Sequence, residues 1–206
     1  MIPLMIDFTG KKVIIFGGGV VGARKARYFA HEADVVVYSR SFHPEFQEIP
    51  VRTEVCNLTR DLETLRNMIH NVSLVIAATS DPELNELIES ACTREHIWCN
   101  VAAGKQSDVV LPAKISGNRY VIAVSTSGSV PAVSRLIREE IENTFPDLDD
   151  LILLGEWIRD TYRGDRTGTD SYDTVLYAAL RDPETRKSLT NGMNAAQEYV
   201  QRRFAI

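Results

Sequence analysis

The residues best suited to chemistry in this 206-residue chain sit near its start, in the run Gly17-Gly18-Gly19-Val20-Val21-Gly22. The spacing is G-x-G-x-x-G, which lets backbone amides close on a pyrophosphate. The first glycine allows a tight turn, the second a close approach to the phosphates, and the third close packing of a helix on a strand. Gly17, Gly19 and Gly22 are therefore expected to form the phosphate loop of a dinucleotide site. Ser39-Arg40-Ser41 stands where NAD-binding folds usually carry an acid for the ribose hydroxyls. Arg40 there either favours the 2′-phosphate of NADP or lines the adenine side. These residues alone leave NAD and NADP open. Ala77-Ala78-Thr79 ends another apolar run, where small residues either admit a cofactor or only cap a sheet.

A glycine loop of this kind works only between a strand and a helix. Lys12-Val13-Ile14-Ile15-Phe16 precedes it and reads as a strand buried on both faces, as parallel sheets require. Residues 23–31 have helical character, and Val35-Val36-Val37-Tyr38 is a second buried strand. Strand, loop, helix and strand fit within roughly thirty residues, the span of a βαβ unit. The pattern continues with a helix near 62–69 and a third clear strand at Leu74-Val75-Ile76-Ala77-Ala78. Asp81 caps and Pro82 opens the next helix, which leads to a strand at Ile97-Trp98-Cys99-Asn100-Val101. After Pro112 the character changes. Tyr120-Val121-Ile122-Ala123-Val124 is a strand, a run of small polar residues follows, and Pro131 opens a helix to about Asn143. Helices alone are expected beyond, near 148–162, 170–180 and 191–203, with Gly164, Gly168 and Asp182-Pro183 at the joints. The fold class expected is α/β: a Rossmann-type parallel-sheet domain followed by a smaller helical part.

Composition narrows the function classes. The chain is 44% hydrophobic and 25% charged, ordinary for a globular protein, and its net charge of −5 argues against a general nucleic-acid surface. An acidic ligand would need a local basic pocket. Three cysteines (Cys56, Cys92 and Cys99), none in CxxC spacing, point to free thiols in a reducing compartment. His31, His43, His70 and His96 are scattered, so no metal site is expected. With no long apolar span and no leader pattern, a cytoplasmic protein without membrane contact is expected.

The chain resembles the precorrin-2 dehydrogenases of sirohaem synthesis, a group that includes the N-terminal part of sirohaem synthase. The resemblance rests on Gly17-Gly18-Gly19-Val20-Val21 followed by Arg24-Lys25-Ala26, then Ala77-Ala78-Thr79 with Asn85, Asn100-Val101 and Leu111-Pro112-Ala113. It ends on Ala123-Val124-Ser125-Thr126-Ser127-Gly128, with Pro131 and Arg135. Order and spacing agree from about residue 3 to 145, while the helical tail matches in character alone. The resemblance implies a Rossmann domain over 1–112, a dimerisation segment over 113–146, a helical domain over 147–206, and a homodimer. It implies oxidation of precorrin-2 to sirohydrochlorin with NAD as hydride acceptor, with ferrous iron insertion in some members. By position, Val20, Val21, Arg40 and Ser41 correspond to the family's dinucleotide contacts. The family often lacks the strand-end acid and still uses NAD. The substrate is a tetrapyrrole rich in carboxylates, so basic groups are wanted. Arg24, Lys25, Arg27, Arg119, Arg135 and Arg138 are candidates. Asn100, Ser125, Thr126 and Ser127 are expected at the substrate, residues 125–127 doubling as a helix-capping loop.

One position departs from the pattern. Many relatives carry an Asp, proposed as general base, where this chain has Ala103 in Asn100-Val101-Ala102-Ala103-Gly104. Asp108 is the nearby substitute, or a loop carboxylate facing water. Val130, often Ser in relatives, is a lesser departure. Hydride transfer depends mostly on positioning, whereas metal insertion must strip pyrrole protons. The expectation is a dehydrogenase with weak or absent ferrochelatase activity. Three alternatives stand beside it: a nucleotide-sensing regulatory domain without catalysis, a chelatase with a vestigial Rossmann domain, and a dehydrogenase of another acidic substrate.

Overall fold

Four of the five residues of β1 (Lys12–Phe16) are completely buried, and the rest of the N-terminal region is arranged around them. The computed structural model describes residues 1–102, 107–127, 129–162 and 172–204. It divides into two compact units, Met1–Leu111 and Pro112–Ile206.

In the first unit β1 leads into α1 (Val20–Phe29) and β2 (Asp34–Ser39), followed by β3 (Arg52–Val55), α2 (Leu62–Met68), β4 (Leu74–Ala77), α3 (Pro82–Arg94) and β5 (Trp98–Val101). The sheet order is β3-β2-β1-β4-β5, and every pairing is parallel. The β-branched runs of β1, β2 and β4 are covered on both faces. Ile14, Phe16, Val75 and Ala77 pack with Leu65, Ile69, Leu84 and Ile88. Val13, Ile15, Val37 and Ile76 pack with Ala23, Ala26 and Phe29 of α1. Burial of each large side chain contributes about 1.5–3 kcal/mol, so this double layer dominates stability. From β1 the chain goes to β2 on one side and later returns to β4 on the other. That reversal is a topological switch point, where open α/β sheets bind ligands beyond the strand ends.

In the second unit β6 (Ala113–Ser116) and β7 (Val121–Val124) form an antiparallel hairpin with α4 (Pro131–Thr144) against it. Then come α5 (Leu148–Tyr162), α6 (Tyr172–Arg181), α7 (Pro183–Leu189) and α8 (Met193–Phe204). These close around Leu154, Ile158, Ala179, Leu189, Ala196 and Val200. Asp149 accepts hydrogen bonds from the amides of Asn118 and Arg119, at 3.0 and 2.9 Å, which ties the hairpin turn to α5.

Three elements depart from the sequence expectation. Leu74–Ala77 is the fourth strand rather than the third, because β3 has all four residues exposed and shows no apolar alternation. In β6, one residue of four, Ile115, is buried. Asp182-Pro183 is a joint, as expected, but a further helix, α7, follows it: Asp182 accepts the Glu184 amide at 2.9 Å. The other expected joints, Gly164 and Gly168, lie outside the described residues. The same Asp-Pro signal was correctly placed at Asp81-Pro82, where Asp81 caps α3. Cys56, Cys92 and Cys99 are free thiols. The neighbouring Cys99 and burial together push the Cys92 thiol far above its ordinary value, which leaves it inert.

Candidate functional site

A cleft of about 650 Å³ opens at the switch point of the first unit. Its floor is the glycine loop. Gly17 adopts φ +119°, and its amide donates to the Tyr38 carbonyl at 2.9 Å. A Cβ there would lie 2.2 Å from the Ala78 carbonyl oxygen, so the loop must cross the end of β4 without a side chain. Gly22 stands back from the cleft and serves packing: a Cβ on it would meet the Gly17 carbonyl oxygen at 1.9 Å. Gly19 behaves differently. Nothing lies within 4 Å of where its Cβ would be, so the protein itself does not require glycine there. Bare backbone at Gly19 leaves that room to a ligand.

Gly19 is also the N-cap of α1. No side chain caps it, and the first turn carries no acid. Among the described residues no side chain caps the first-turn amides at this positive dipole end. Val20 and Val21 line the cleft, with 61% and 38% exposure. This cradle suits a pyrophosphate on both chemistry and space.

Thr79 lines the opposite wall, but its polar groups are committed to the protein. Asn85 Oδ1 accepts from the Thr79 amide at 3.1 Å and from the Thr79 hydroxyl at 2.8 Å, and Asn85 Nδ2 donates to the Thr79 carbonyl at 3.1 Å. Asn85 is 5% exposed and acts as a clamp on the wall. Beside it Asp81 accepts the Leu84 amide and pairs with Arg60 at 2.8 Å. The Arg60 guanidinium holds the Asp81 carboxyl below the usual carboxylate range, with the Leu84 amide adding to the effect. Arg60 also pairs with Glu83.

Arg40 and Ser41 lie on the rim, exposed, with Arg40 free of any carboxylate partner among the described residues. Residues 42–43 and 56–58 also line the cleft. Sequence reasoning missed them because 56–58 follow the exposed strand β3, which it did not find.

The end of β5 is built differently. Asn100 is 5% exposed, and its Nδ2 donates to the Val109 carbonyl at 2.7 Å. Its Oδ1 is buried and has no partner among the described residues. The Val101 amide donates to Ser107 Oγ at 3.0 Å, and the Cys99 amide donates to Asp108 Oδ2 at 3.2 Å. Residues 107–109 are thus laced along β5. Asn100 and Asp108 are not among the residues lining the cleft. Ala103 and Gly104 lie outside the described residues.

In the second unit, Ser125 Oγ accepts the Ser127 amide at 3.1 Å, and Ser127 has φ +53°. The Thr126 hydroxyl reaches the Val130 carbonyl and Ser134 Oγ, both at 3.1 Å. The expected capping loop is corrected here: Val130 is the N-cap of α4, and no side chain caps it. Gly128 lies outside the described residues. The candidate cations separate into two groups. Arg27, Arg119 and Arg138 pair with Glu45, Glu156 and Glu142 at 2.7, 2.8 and 3.5 Å. Arg24, Lys25 and Arg135 have no carboxylate partner among the described residues. Burial, with Arg24 adding to it, lowers the Lys25 ammonium from its ordinary value.

A family model described as NAD(P)-binding matches residues 4–113. The precorrin-2 dehydrogenase of Methanosarcina barkeri is 34% identical over 212 residues, covering 100% of this chain and 92% of its own. Siroheme synthase 2 of Klebsiella pneumoniae is 31% identical over 147 residues, 70% of this chain but 32% of that longer protein. Among solved structures, SirC, a precorrin-2 dehydrogenase, superposes with a TM-score of 0.72, covering 100% of this chain and 99% of that one. At 20% identity that likeness speaks for the fold.

Proposed function

The chain belongs to the precorrin-2 dehydrogenase family, and on that premise we propose that it oxidises precorrin-2 to sirohydrochlorin with NAD as the hydride acceptor. The observation that carries this reading is the cleft itself: complete on its phosphate side, at the switch point, in a chain whose whole length aligns with a precorrin-2 dehydrogenase. Gly17, Gly19, Val20 and Val21 hold the pyrophosphate, Gly22 lets α1 approach the loop, and Arg40, Ser41 and Thr79 border the two ends of the cofactor. When bound, the nicotinamide takes the hydride from the substrate. The remaining work is positioning. Asn85 keeps Thr79 and the end of β4 in place, so that the wall does not move as the substrate arrives.

Dehydrogenation also releases a proton. Ala103 cannot receive it, and Asp108 already accepts the Cys99 amide through Oδ2. We assign Asp108 to tethering and let the proton pass to water. Metal insertion has to remove the inner pyrrole protons, so the same gap leaves this enzyme with weak or absent ferrochelatase activity. The candidates for the substrate's carboxylates are the cations that have no carboxylate partner among the described residues: Arg24 and Lys25 in the first unit and Arg135 in the second. Asn100, Ser125, Thr126 and Ser127 are assigned to the substrate side.

Residues 113–146 serve as the dimerisation segment. In support, α4 exposes Val133, Leu136 and Ile137 at 41%, 56% and 40%, and β7 exposes Val121 at 48%. A second copy of the chain covers that face. No helix among the described residues is long and apolar enough to cross a membrane. The enzyme works in the cytoplasm. Light scattering should give a dimer mass for the wild type and a monomer for Leu136→Glu, and a monomeric wild type would remove the dimer from this reading.

The activity is tested anaerobically with freshly prepared precorrin-2 and NAD⁺. Stoichiometric NADH and sirohydrochlorin are expected. Dinucleotide binding without turnover would place the chain among nucleotide sensors instead.

A further inference from the structure

We propose that Arg40, flanked by Ser39 and Ser41, forms a 2′-phosphate subsite on the rim of the cleft, so that the site takes NADP-class dinucleotides as well as NAD. The proposal rests on the dinucleotide reading above and concerns the specificity of that same cleft.

The first support is placement. β2 lies beside β1, and residues after it are strapped to the glycine loop by backbone bonds. The Gly17 amide donates to the Tyr38 carbonyl at 2.9 Å, and the His43 amide donates to the Gly18 carbonyl at 2.7 Å. A Cβ on Gly18 would lie 2.4 Å from the Ser41 carbonyl oxygen. On the other side, the Cys56 amide holds the Ser39 carbonyl at 2.9 Å. The backbone that carries Arg40 is therefore held in place relative to the phosphate cradle, at the end of the strand that faces the adenosine ribose in this fold.

The second support is charge. A carboxylate at this strand end would accept the ribose hydroxyls and repel a 2′-phosphate; its absence, common in this family, does not select NADP but removes that repulsion. Residues 38–43 contain none. The single carboxylate lining the cleft among the described residues is Asp81, and it is committed to Arg60 and to the Leu84 amide. Two carboxylates of the following stretch have their own cation: Glu45 with Arg27 at 2.7 Å, and Glu54, opposite Tyr38 in register, with Arg52 at 3.7 Å. Arg40 has no such partner among the described residues, so its guanidinium is available. A planar fork of donors with two serine hydroxyls beside it is suited to a phosphate dianion.

The test is calorimetric titration of the full-length protein with NAD⁺, NADP⁺, 5′-AMP and 2′,5′-ADP, for the wild type, Arg40→Ala and Arg40→Lys. In the wild type, NADP⁺ should bind within about tenfold of NAD⁺, and 2′,5′-ADP should bind more tightly than 5′-AMP, as expected for one charge-assisted contact. Arg40→Ala should lower the NADP⁺ to NAD⁺ affinity ratio by about ten- to a hundredfold. Arg40→Lys should restore part of that loss. The advantage of 2′,5′-ADP over 5′-AMP should shrink as salt rises, because the contact is exposed. A wild type that binds NAD⁺ while showing no preference for 2′,5′-ADP overturns the subsite and leaves the dinucleotide reading standing. So does an Arg40→Ala ratio equal to that of the wild type. Failure to bind either NAD⁺ or NADP⁺ overturns both.

Discussion

The ends of β1 and β5 belong to the same sheet, two strands apart, yet their polar groups are used in opposite ways. Past β1 the first turn of α1 is left uncapped: Gly19 caps α1 without any side chain, and its missing Cβ faces open space. Past β5 several polar groups are spent on the protein itself, Asn100 Oδ1 being an exception among the described residues. Asn100, Ser107 and Asp108 lace residues 107–109 to the strand. A residue type that could do chemistry is available for it only if its hydrogen bonds are not already used. By that criterion the cofactor side of the site is open for work, while Asp108 has one carboxylate oxygen engaged in holding the Cys99 amide.

The sharpest way to break this contrast is within the glycine loop. Gly17→Ala puts a Cβ 2.2 Å from the Ala78 carbonyl oxygen at φ +119°. It should cost about 3 kcal/mol or more, read as a lowered urea midpoint, and should abolish dinucleotide binding. Gly19→Ala should leave stability within about 0.5 kcal/mol of the wild type. It should weaken NAD⁺ binding by about tenfold, since the backbone can no longer approach the phosphates. Equal stability losses in the two variants would erase the distinction between a glycine needed by the fold and one needed by the ligand.

Next in size is the clamp on the far wall. Asn85→Ala removes the acceptor and donor that hold Thr79, at a cost of about 2 kcal/mol, measured by chemical denaturation. It should also raise the apparent KM for NAD⁺. A variant as stable as the wild type would show that the wall does not depend on Asn85.

The β5 end allows a finer separation. Asp108→Asn keeps an oxygen to accept the Cys99 amide, so both stability and turnover should stay near wild type. Asp108→Ala loses the tether and should cost about 1 kcal/mol. A kcat loss of about tenfold or more in Asp108→Asn, at unchanged stability, would make Asp108 the proton acceptor after all.

These side-chain roles were less legible in the sequence than the fold was. The β-branched runs of β1, β2 and β4 announce themselves because both faces of a parallel strand are buried. Asp81-Pro82 likewise placed the start of α3. The edge strand β3 was invisible: Arg52, Thr53, Glu54 and Val55 are all exposed, so burial imposes no pattern on them. Missing β3 also hid residues 56–58 from the site. Asn85 was present in the motif, but its task depends on a hydrogen-bond geometry that spacing does not encode. The same holds for Asp108, whose partner is a backbone amide nine residues earlier.

The smallest effect expected is in acid. Asp81 has a folded pKa below its unfolded one, chiefly through Arg60. Its pairing therefore contributes stability that is present above the unfolded pKa near 4 and is lost as pH falls through the folded value. The pair is exposed, so the contribution is slight. Between about pH 5 and pH 2 the wild type should lose slightly more thermal stability than Arg60→Ala. Identical pH profiles would mean that the pair stabilises nothing.

The most direct measurement runs both reactions in one cuvette. Purified protein is given precorrin-2 and NAD⁺ without oxygen, sirohydrochlorin formation is followed to completion by absorbance, and Co²⁺ is then added. The expected result is NAD⁺-dependent sirohydrochlorin formation, followed by cobalt insertion little or no faster than in a protein-free control. Metal insertion well above that rate would contradict the claim that the proton-accepting side is missing. Absence of sirohydrochlorin with either dinucleotide would contradict the claim that the cofactor side is complete.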